Sequence, residues 1–146
     1  MHLSKRGEYG LRAMIDLATW EASSPITQIR EIAEREGIPV KFLEQILLSL
    51  KNAGLLHSKM GVGGGYYLAK PAEEITLGAI IRILDGPLAP IRCVSQVSYE
   101  TCGCPDEGTC GLRLVMLDVR DAISSILDCT SLADMVERVE KARRLP

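Results

Sequence analysis

The hydrophobic positions at the start of the chain recur every three or four residues, up to about Trp20. They are Leu11, Met14, Ile15 and Ala18. This spacing is typical of an amphipathic helix that packs one face against a core. Ser4 precedes the segment and belongs to the residue types that cap helices. We therefore predict a first helix that begins after Ser4.

Two shorter segments with the same periodicity follow, only a few residues apart. The first follows Thr27 and ends at Gly37, and the second follows Pro39 and ends at Gly54. Glycine is a common helix stop because it adopts the left-handed conformation easily. The apolar positions are Ile29, Ile32, Ala33, Phe42, Leu43, Ile46, Leu47 and Leu50. Together the two segments predict a helix-turn-helix.

A glycine-rich turn comes next, with four glycines in residues 61–65 between two short segments of strand character. This pattern predicts a β-hairpin. A phosphate-binding loop is excluded because the Gly-Lys-Ser/Thr ending is absent and a strand follows instead of a helix. Pro71 ends the hairpin, and Thr76 is positioned to cap a fourth helix. Helix, turn, helix and hairpin in this order predict a winged helix-turn-helix.

The carboxy-terminal part has a different pattern. Residues 87–109 contain prolines and most of the cysteines and predict an irregular loop, whereas residues 110–128 carry a narrow apolar seam at near-heptad spacing. Such a seam suits a partner helix, so we expect a homodimer. The expected dimer residues are Leu112, Val115, Val119, Ile123 and Ile126, with Ala122 on the same seam. Ser131 begins a last, charged helix.

The expected fold is therefore mainly α with a small β-hairpin, namely a winged helix-turn-helix followed by a long carboxy-terminal dimerisation helix. We expect residues 1–86 to form the DNA-binding unit, residues 87–109 a cysteine-rich effector loop, and residues 110–146 the dimerisation helix and the last helix. A chain of 146 residues can hold these parts in one compact unit.

Composition narrows the function. The net charge of −2 means that any DNA-binding surface has to be local, because dedicated phosphate binders usually carry a basic excess. No apolar run approaches membrane-spanning length and no signal peptide is recognisable, so we expect a cytoplasmic protein without a membrane partner. His2 and His57 are the only histidines, which argues against an enzyme with a cysteine nucleophile and against a small-molecule substrate.

Several polar residues are placed to contact double-stranded DNA. Lys41, Phe42, Glu44 and Gln45 lie on the first turns of the expected recognition helix. Glutamine pairs with adenine and glutamate accepts from cytosine in the major groove. The expected backbone and wing contacts are Lys5, Arg6, Lys51, Ser58, Lys59, Gly63, Gly64 and Tyr66. The alternative is a simple helical packing unit with solvated lysines.

Four short motifs resemble the Rrf2 family of winged-helix transcriptional regulators, and the resemblance extends over essentially the whole chain. They are Ser4-Lys5-Arg6-Gly7-Glu8-Tyr9, Leu43-Glu44-Gln45, Leu50-Lys51-Asn52-Ala53-Gly54-Leu55 and Gly63-Gly64-Gly65-Tyr66. The resemblance implies operator binding by a homodimer, with base contacts from Lys41, Phe42 and Glu44. Met60 stands where family members carry a wing arginine, so the operator sequence cannot be transferred.

Four cysteines lie close together in sequence. They are Cys93, Cys102, Cys104 and Cys110. Thiolates of this kind select zinc or iron-sulfur clusters in a reducing compartment. The spacing lacks the paired Cys-x-x-Cys knuckles of a structural zinc site, which favours iron-sulfur over zinc. Free thiols are the alternative. Cys129, at the end of the long helix, is expected to be a small buried apolar residue.

The loop resembles that of the iron-sulfur branch of the family, which includes IscR, NsrR and RirA. The resemblance implies Cys93, Cys104 and Cys110 as ligands of a [2Fe-2S] or [4Fe-4S] cluster. Glu8 of the other subunit is the implied fourth ligand, with Cys102 as second choice, since Arg113 stands where some members have a histidine ligand. Glu8 could instead be an ordinary helix charge paired with Arg12.

These expectations combine into one function. The chain would be a transcriptional regulator, in the first instance a repressor, whose operator binding is switched by an iron-sulfur cluster that senses redox state, nitric oxide or iron status. The alternative is a cluster-free winged-helix regulator controlled by cysteine oxidation or by a protein partner.

Overall fold

The architecture consists of six α-helices and one antiparallel hairpin, and the computed structural model describes residues 2–146. Two short 3-10 turns lie at Ala72–Glu74 and Arg92–Val94. The elements are α1 Lys5–Trp20, α2 Ile29–Glu36, α3 Val40–Asn52, β1 Leu56–Lys59, β2 Gly65–Leu68, α4 Leu77–Leu84, α5 Gly111–Asp128 and α6 Leu132–Arg144. The mainly α fold with a small hairpin is therefore confirmed.

Local capping chemistry explains where three helices begin. The Ser4 hydroxyl accepts a hydrogen bond from the Gly7 amide at 3.0 Å, and the Thr76 and Ser131 hydroxyls accept equivalent bonds at 3.2 and 3.1 Å. Each bond satisfies an amide that the first helical turn leaves without a partner. The predicted starts of α1, α4 and α6 are thereby confirmed.

The start of α2 differs from the expectation. Gln28, not Thr27, is the residue that precedes the helix. Thr27 is buried and pairs instead with Tyr66 of β2, through Thr27 N to Tyr66 O at 2.9 Å and Tyr66 N to Thr27 O at 2.8 Å. Because of this long-range pairing, Thr27 does not cap α2 and instead connects the base of the hairpin to the beginning of that helix.

Helix α1 lies at the centre of the fold and contacts α2, α3, α4 and α6. Gly10 allows the close approach of α4, because a Cβ atom there would lie 2.0 Å from the Leu84 Cδ1 atom. The side chains with no exposed surface at this centre come from several helices. They include Met14, Ile32, Leu43, Ile46, Leu47, Leu50, Ile80 and Leu132. Burial of these side chains supplies most of the stabilisation of the helical bundle.

The hairpin rests on this core through the paired residues Leu56 and Leu68, which are both buried. Its turn requires small residues: a Cβ atom on Gly65 would lie 2.3 Å from the Thr27 carbonyl oxygen. A Cβ atom on Gly64 would lie 2.2 Å from the Lys59 carbonyl oxygen. The two glycines therefore have a structural role in bringing the strands and α2 together.

Polar contacts attach the carboxy-terminal helices to the rest of the chain. Arg82 of α4 donates two hydrogen bonds to the Asp128 carboxylate, at 2.5 and 2.8 Å. The turn between α5 and α6 pairs with the start of α4, through Leu77 N to Thr130 O at 2.9 Å. None of the helices in residues 2–146 combines the length and apolar character needed to cross a membrane.

Candidate functional site

The exposed face of α3 carries the residues expected to read bases. Lys41, Glu44 and Gln45 are exposed, while Leu43 and Ile46 between them are fully buried and hold the helix on α1 and α2. The helical spacing puts the three polar side chains on the outer face of the second helix of the pair. This placement is the one that a recognition helix needs in order to present side chains to a major groove.

Phe42 has a different environment from its neighbours on α3. Its ring is half-buried and packs edge to face against Tyr9 of α1, with ring centroids 5.5 Å apart and planes at 75°. Aromatic pairs of this geometry stabilise the packing of the two elements that carry them. Phe42 therefore has a packing role, and its contact with a base stays a prediction.

Helices α1, α2 and α3 also carry basic side chains. Arg6 donates to the Ser49 hydroxyl at 2.6 Å, which ties the start of α1 to α3. Lys5 pairs with Glu8 at 3.2 Å, and Lys51 is exposed at the end of α3. Arg30 on α2 was not expected from the sequence: it is exposed and has no salt-bridge partner within the described residues 2–146.

The hairpin presents a mixed surface. Ser58 is half-buried, Lys59 is exposed, and Gly63 lies at the open tip with a φ of 72°. Met60 and Val62 at the same tip are 89% and 104% exposed, so their side chains have no packing role in this chain.

Tyr66 lies on β2, near Glu44 of α3. Its ring is half-buried. Burial raises the pKa of its phenol, and the nearby Glu44 carboxylate raises it further. The phenol therefore stays protonated at neutral pH and can donate a hydrogen bond.

The four clustered cysteines line one pocket of about 320 Å³. The thiols come from the 3-10 turn, the following loop and the residue before α5. The lining residues are Ile91, Arg92, Cys93, Glu100, Thr101, Cys102, Cys104, Cys110, Leu112 and Arg113. Although the cysteines span residues 93–110 in the sequence, the loop brings all four to the same place.

The thiols influence one another electrostatically. The hydrogen bond with Cys102, together with desolvation and the neighbouring Cys110, raises the pKa of Cys104 to about 12. Burial raises the pKa of Cys93. Both thiols are therefore protonated at neutral pH in the metal-free chain, so metal binding at this pocket would release protons.

The donors that line the pocket are four thiols, the ligand type that zinc and iron-sulfur clusters share. Within residues 2–146, no three Cys, His, Asp or Glu side chains stand close enough together to hold one metal ion. A cluster places its cysteines on different iron atoms, so its ligands can stand farther apart than those of a mononuclear site. Four soft thiol donors around one space fit this chemistry.

A carboxylate that sequence reasoning missed lies beside the pocket. Glu107 accepts hydrogen bonds from the Tyr99 hydroxyl at 2.5 Å and from the Cys102 amide at 3.2 Å. The bond from Tyr99 contributes most to lowering the pKa of the Glu107 carboxyl. No spacing rule signals this residue, because a carboxylate within a polar loop is unremarkable in sequence.

Two arginines of α5 attach the cysteine turn to that helix. Arg120 donates to the Val94 carbonyl oxygen at 2.8 Å, and Arg113 donates to the Cys93 carbonyl oxygen at 3.4 Å. The backbone around Cys93 is therefore hydrogen-bonded to α5 by two arginines that stand about two turns apart on the helix.

Two other predicted residues lie away from the pocket lining. Glu8 pairs with Lys5 at 3.2 Å and with Arg12 at 3.7 Å, so the helix-charge interpretation holds within one chain. Its role as a ligand supplied by the other subunit stays a prediction. Cys129 is exposed at the end of α5. The expectation of a buried residue there was wrong, because the helix ends on the surface.

The apolar seam of α5 is largely open. Leu112, Val115 and Ile126 are 58%, 50% and 65% exposed, whereas Val119 and Ile123 are half-buried. Ile123 also lines a groove of about 480 Å³ that Ile81 of α4 borders. An apolar stripe of this extent on one helix suits contact with a second protein surface.

Comparison with known proteins places these features in context. The family model described as Rrf2, iron-dependent transcriptional regulator, matches residues 3–138. IscR of Serratia proteamaculans is 35% identical over 136 residues, which cover 93% of this chain and 79% of the relative. The structure of CymR from B. subtilis, described as the global cysteine regulator, has a TM-score of 0.79 at 34% identity and covers 94% of this chain and 98% of its own. T. potens IscR has a TM-score of 0.78 at 32% identity and covers 100% and 93%.

Proposed function

Because the chain belongs to the Rrf2 family of transcriptional regulators, we propose that it is a repressor that binds operator DNA as a homodimer and is switched by an iron-sulfur cluster in the cysteine pocket. The observation that carries this proposal is the convergence of Cys93, Cys102, Cys104 and Cys110 on one space. The description of the family as iron-dependent supports the same choice of cofactor.

In this proposal α3 enters the major groove and the hairpin approaches the adjacent backbone. Gln45 and Glu44 are suited to base edges, and Lys41 to a base or a phosphate. Arg30, together with Lys5, Arg6, Lys51 and Lys59, supplies phosphate contacts. A locally basic face of this kind is compatible with a net charge of −2 because the charges act within about one Debye length of the DNA.

DNA contacts are tested by the salt dependence of affinity. The probe is a duplex selected from a random pool by the protein itself, and the readout is fluorescence anisotropy. Lys51→Ala is expected to weaken binding and to reduce the slope of log K against log salt by about 1, as the loss of one phosphate contact requires. Lys70→Ala, also exposed but outside the proposed face, is the matched control. An unchanged slope in Lys51→Ala contradicts the proposed contact.

The dimer in this proposal forms along the exposed stripe of α5. Val115→Lys introduces a desolvated charge into the proposed interface, so the dimer is expected to weaken by at least about 100-fold while the chain stays folded. Sedimentation velocity and circular dichroism measure the two properties. Asp118→Lys, on an exposed position of the same helix, is the control. A Val115→Lys variant that remains dimeric at low concentration contradicts this interface.

The residues of the chain suggest how the pocket could act on DNA binding. Arg113 and Arg120 tie the cysteine turn to α5, and Asp128 of α5 is tied to α4 through Arg82. Helix α4 in turn packs against α1 and α3. A change in the cysteine turn can therefore shift the dimer helix relative to α3. By linkage, DNA must then change the stability of the metal centre by the same factor.

Metal content is the decisive test of the cofactor. The chain is reconstituted anaerobically with ferrous iron and sulfide, and iron, sulfide and zinc per chain are measured with the visible spectrum. We expect bound iron and sulfide in the wild type and their loss in Cys93→Ala, Cys104→Ala and Cys110→Ala. Cys129→Ala removes an exposed cysteine outside the pocket and is expected to behave as wild type.

A second candidate function is thiol-based control without a cluster. The position of Cys104 close to Cys102 and Cys110 favours it, because neighbouring thiols can be oxidised to a disulfide, and a similar structure is described as a cysteine regulator. A colourless, iron-free wild type after reconstitution would contradict the cluster and move the proposed control to thiol chemistry or to a protein partner. The DNA-binding proposal would stand in either case.

A further inference from the structure

The Glu107 carboxylate is occupied by donors from two loop residues. Its Oε2 atom accepts from the Tyr99 hydroxyl at 2.5 Å. Its Oε1 atom accepts from the Cys102 backbone amide at 3.2 Å and from the Cys102 thiol at 3.7 Å. Tyr99 thus orients the carboxylate, and the carboxylate holds Cys102 by both its main chain and its sulfur.

Cys102 lines the same pocket as Cys93, Cys104 and Cys110, whereas Glu107 does not line it. The carboxylate therefore lies outside the pocket lining and contacts the residue that carries one of the four thiols. A metal-bound thiolate has no proton to donate, so the bond that can position Cys102 as a ligand is the one from its backbone amide to Glu107 at 3.2 Å.

We propose that Cys102 is a ligand of the metal centre supplied by the same chain, and that Glu107, oriented by Tyr99, is the positioning residue that holds it there. The inference rests on the proposed metal centre and adds its fourth ligand. When the Cys102 sulfur binds iron, the S–H bond breaks and the proton leaves to solvent. Glu107 then retains its bonds from Tyr99 and from the Cys102 amide.

Four thiols from one loop can hold the centre within a single subunit, so Glu8 is not needed as a ligand from the other subunit. Within the chain Glu8 is already paired with Arg12 and Lys5. Dimerisation and metal binding would then be separable properties.

The test compares the rate of iron loss to a chelator after anaerobic reconstitution with ferrous iron and sulfide. Cys102→Ala is expected to lower the iron retained per chain. Glu107→Ala is expected to lose iron about tenfold faster than wild type, as outer-shell substitutions commonly do. Glu107→Gln keeps an acceptor oxygen for the Cys102 amide, so its rate of iron loss is expected to lie between those of wild type and Glu107→Ala. Tyr99→Phe is expected to have a smaller effect in the same direction.

Two variants serve as controls. Ser98→Ala changes the residue before Tyr99. Within the described residues the Ser98 side chain makes no hydrogen bond, and only its backbone amide donates, to Ser95. Glu8→Ala removes the carboxylate that is the competing candidate for the fourth ligand. Both are expected to retain iron as wild type does. Loss of iron in Glu8→Ala, with Cys102→Ala and Glu107→Ala unchanged, would overturn the assignment.

Alkylation of the metal-free chain tests the contact between Glu107 and Cys102 independently of the metal centre. In Glu107→Ala, alkylation of Cys102 by iodoacetamide is expected to accelerate relative to that of Cys129, because the thiol is no longer held by the carboxylate. A wild type that takes up no iron overturns the metal centre and the ligand assignment together. A wild type that takes up iron, with unchanged iron loss and alkylation in Glu107→Ala, overturns the role of Glu107 alone.

Discussion

The region from α1 to α4 with the hairpin and the region of the cysteine loop with α5 are built differently. In the first, Met14, Leu47 and Leu50 are fully buried. In the second, α5 has no buried residue, and arginine bonds to backbone carbonyls hold the cysteine turn. The first region therefore carries its own stability, and the second is free to respond to a metal, to a thiol reaction or to another subunit.

The largest expected effect tests the contrast in burial. Leu47→Ala removes a side chain with no exposed surface from the first region and is expected to lower the free energy of unfolding by about 3 kcal/mol. Leu112→Ala truncates a leucine that is 58% exposed on α5, so its effect on an isolated chain is expected to stay below about 0.5 kcal/mol. Urea denaturation at low protein concentration measures both. Equal losses would break the comparison.

The next prediction compares a glycine-to-alanine substitution in each of the two regions. Gly65→Ala places a Cβ atom 2.3 Å from the Thr27 carbonyl oxygen, so the hairpin must shift from α2 at an expected loss of about 2 kcal/mol. Gly111→Ala, at the first position of α5, meets no atom within 4 Å. It is expected to stabilise by about 0.5 kcal/mol by restricting the unfolded chain. Thermal unfolding tests whether the two signs are opposite.

The smallest effect concerns the contact that joins the two regions. Hydrogen bonds from Arg82 lower the pKa of the Asp128 carboxyl. Its stabilising contribution is complete above the ordinary aspartate range and is lost as the pH falls through the lowered value. Arg82→Met is therefore expected to lower the free energy of unfolding by about 0.5 kcal/mol at neutral pH, since both groups are partly exposed.

The pH dependence of the same variant supplies its own control. The difference between wild type and Arg82→Met is expected to shrink as the pH falls below the ordinary aspartate range and through the lowered pKa of Asp128, because the carboxyl is then protonated in both the folded and the unfolded chain. Urea titrations over this range measure it. A difference that grows in acid would show that Arg82 stabilises through packing and not through the carboxylate.

The elements that could be predicted from the sequence are those whose causes are local. Hydroxyl caps at Ser4, Thr76 and Ser131 lie directly before their helices. Gly37 and Gly54 take positive φ values of 63° and 85° at the predicted helix ends. Such features depend on a few neighbouring residues, so a single sequence contains the information.

The elements that could not be predicted depend on distant residues. Thr27 pairs with Tyr66 of the hairpin and does not cap α2. Phe42 packs on Tyr9 from another helix. Convergence of the cysteines was expected from their loop, but the bonds of Glu107 with Tyr99 and Cys102 depend on the fold of that loop, which periodicity does not describe.

The two backbone hydrogen bonds between Thr27 and Tyr66 attach the base of the hairpin to the start of the helix pair. In the proposed complex the distance between the major-groove contacts of α3 and the backbone contacts of the hairpin is then fixed within each subunit. One extra base pair inside a half-site would break one set of contacts, whereas an extra base pair between half-sites can be absorbed at the subunit junction. The dimer would therefore determine how much variation in the spacing between half-sites is tolerated, whereas the single chain would determine the length of each half-site.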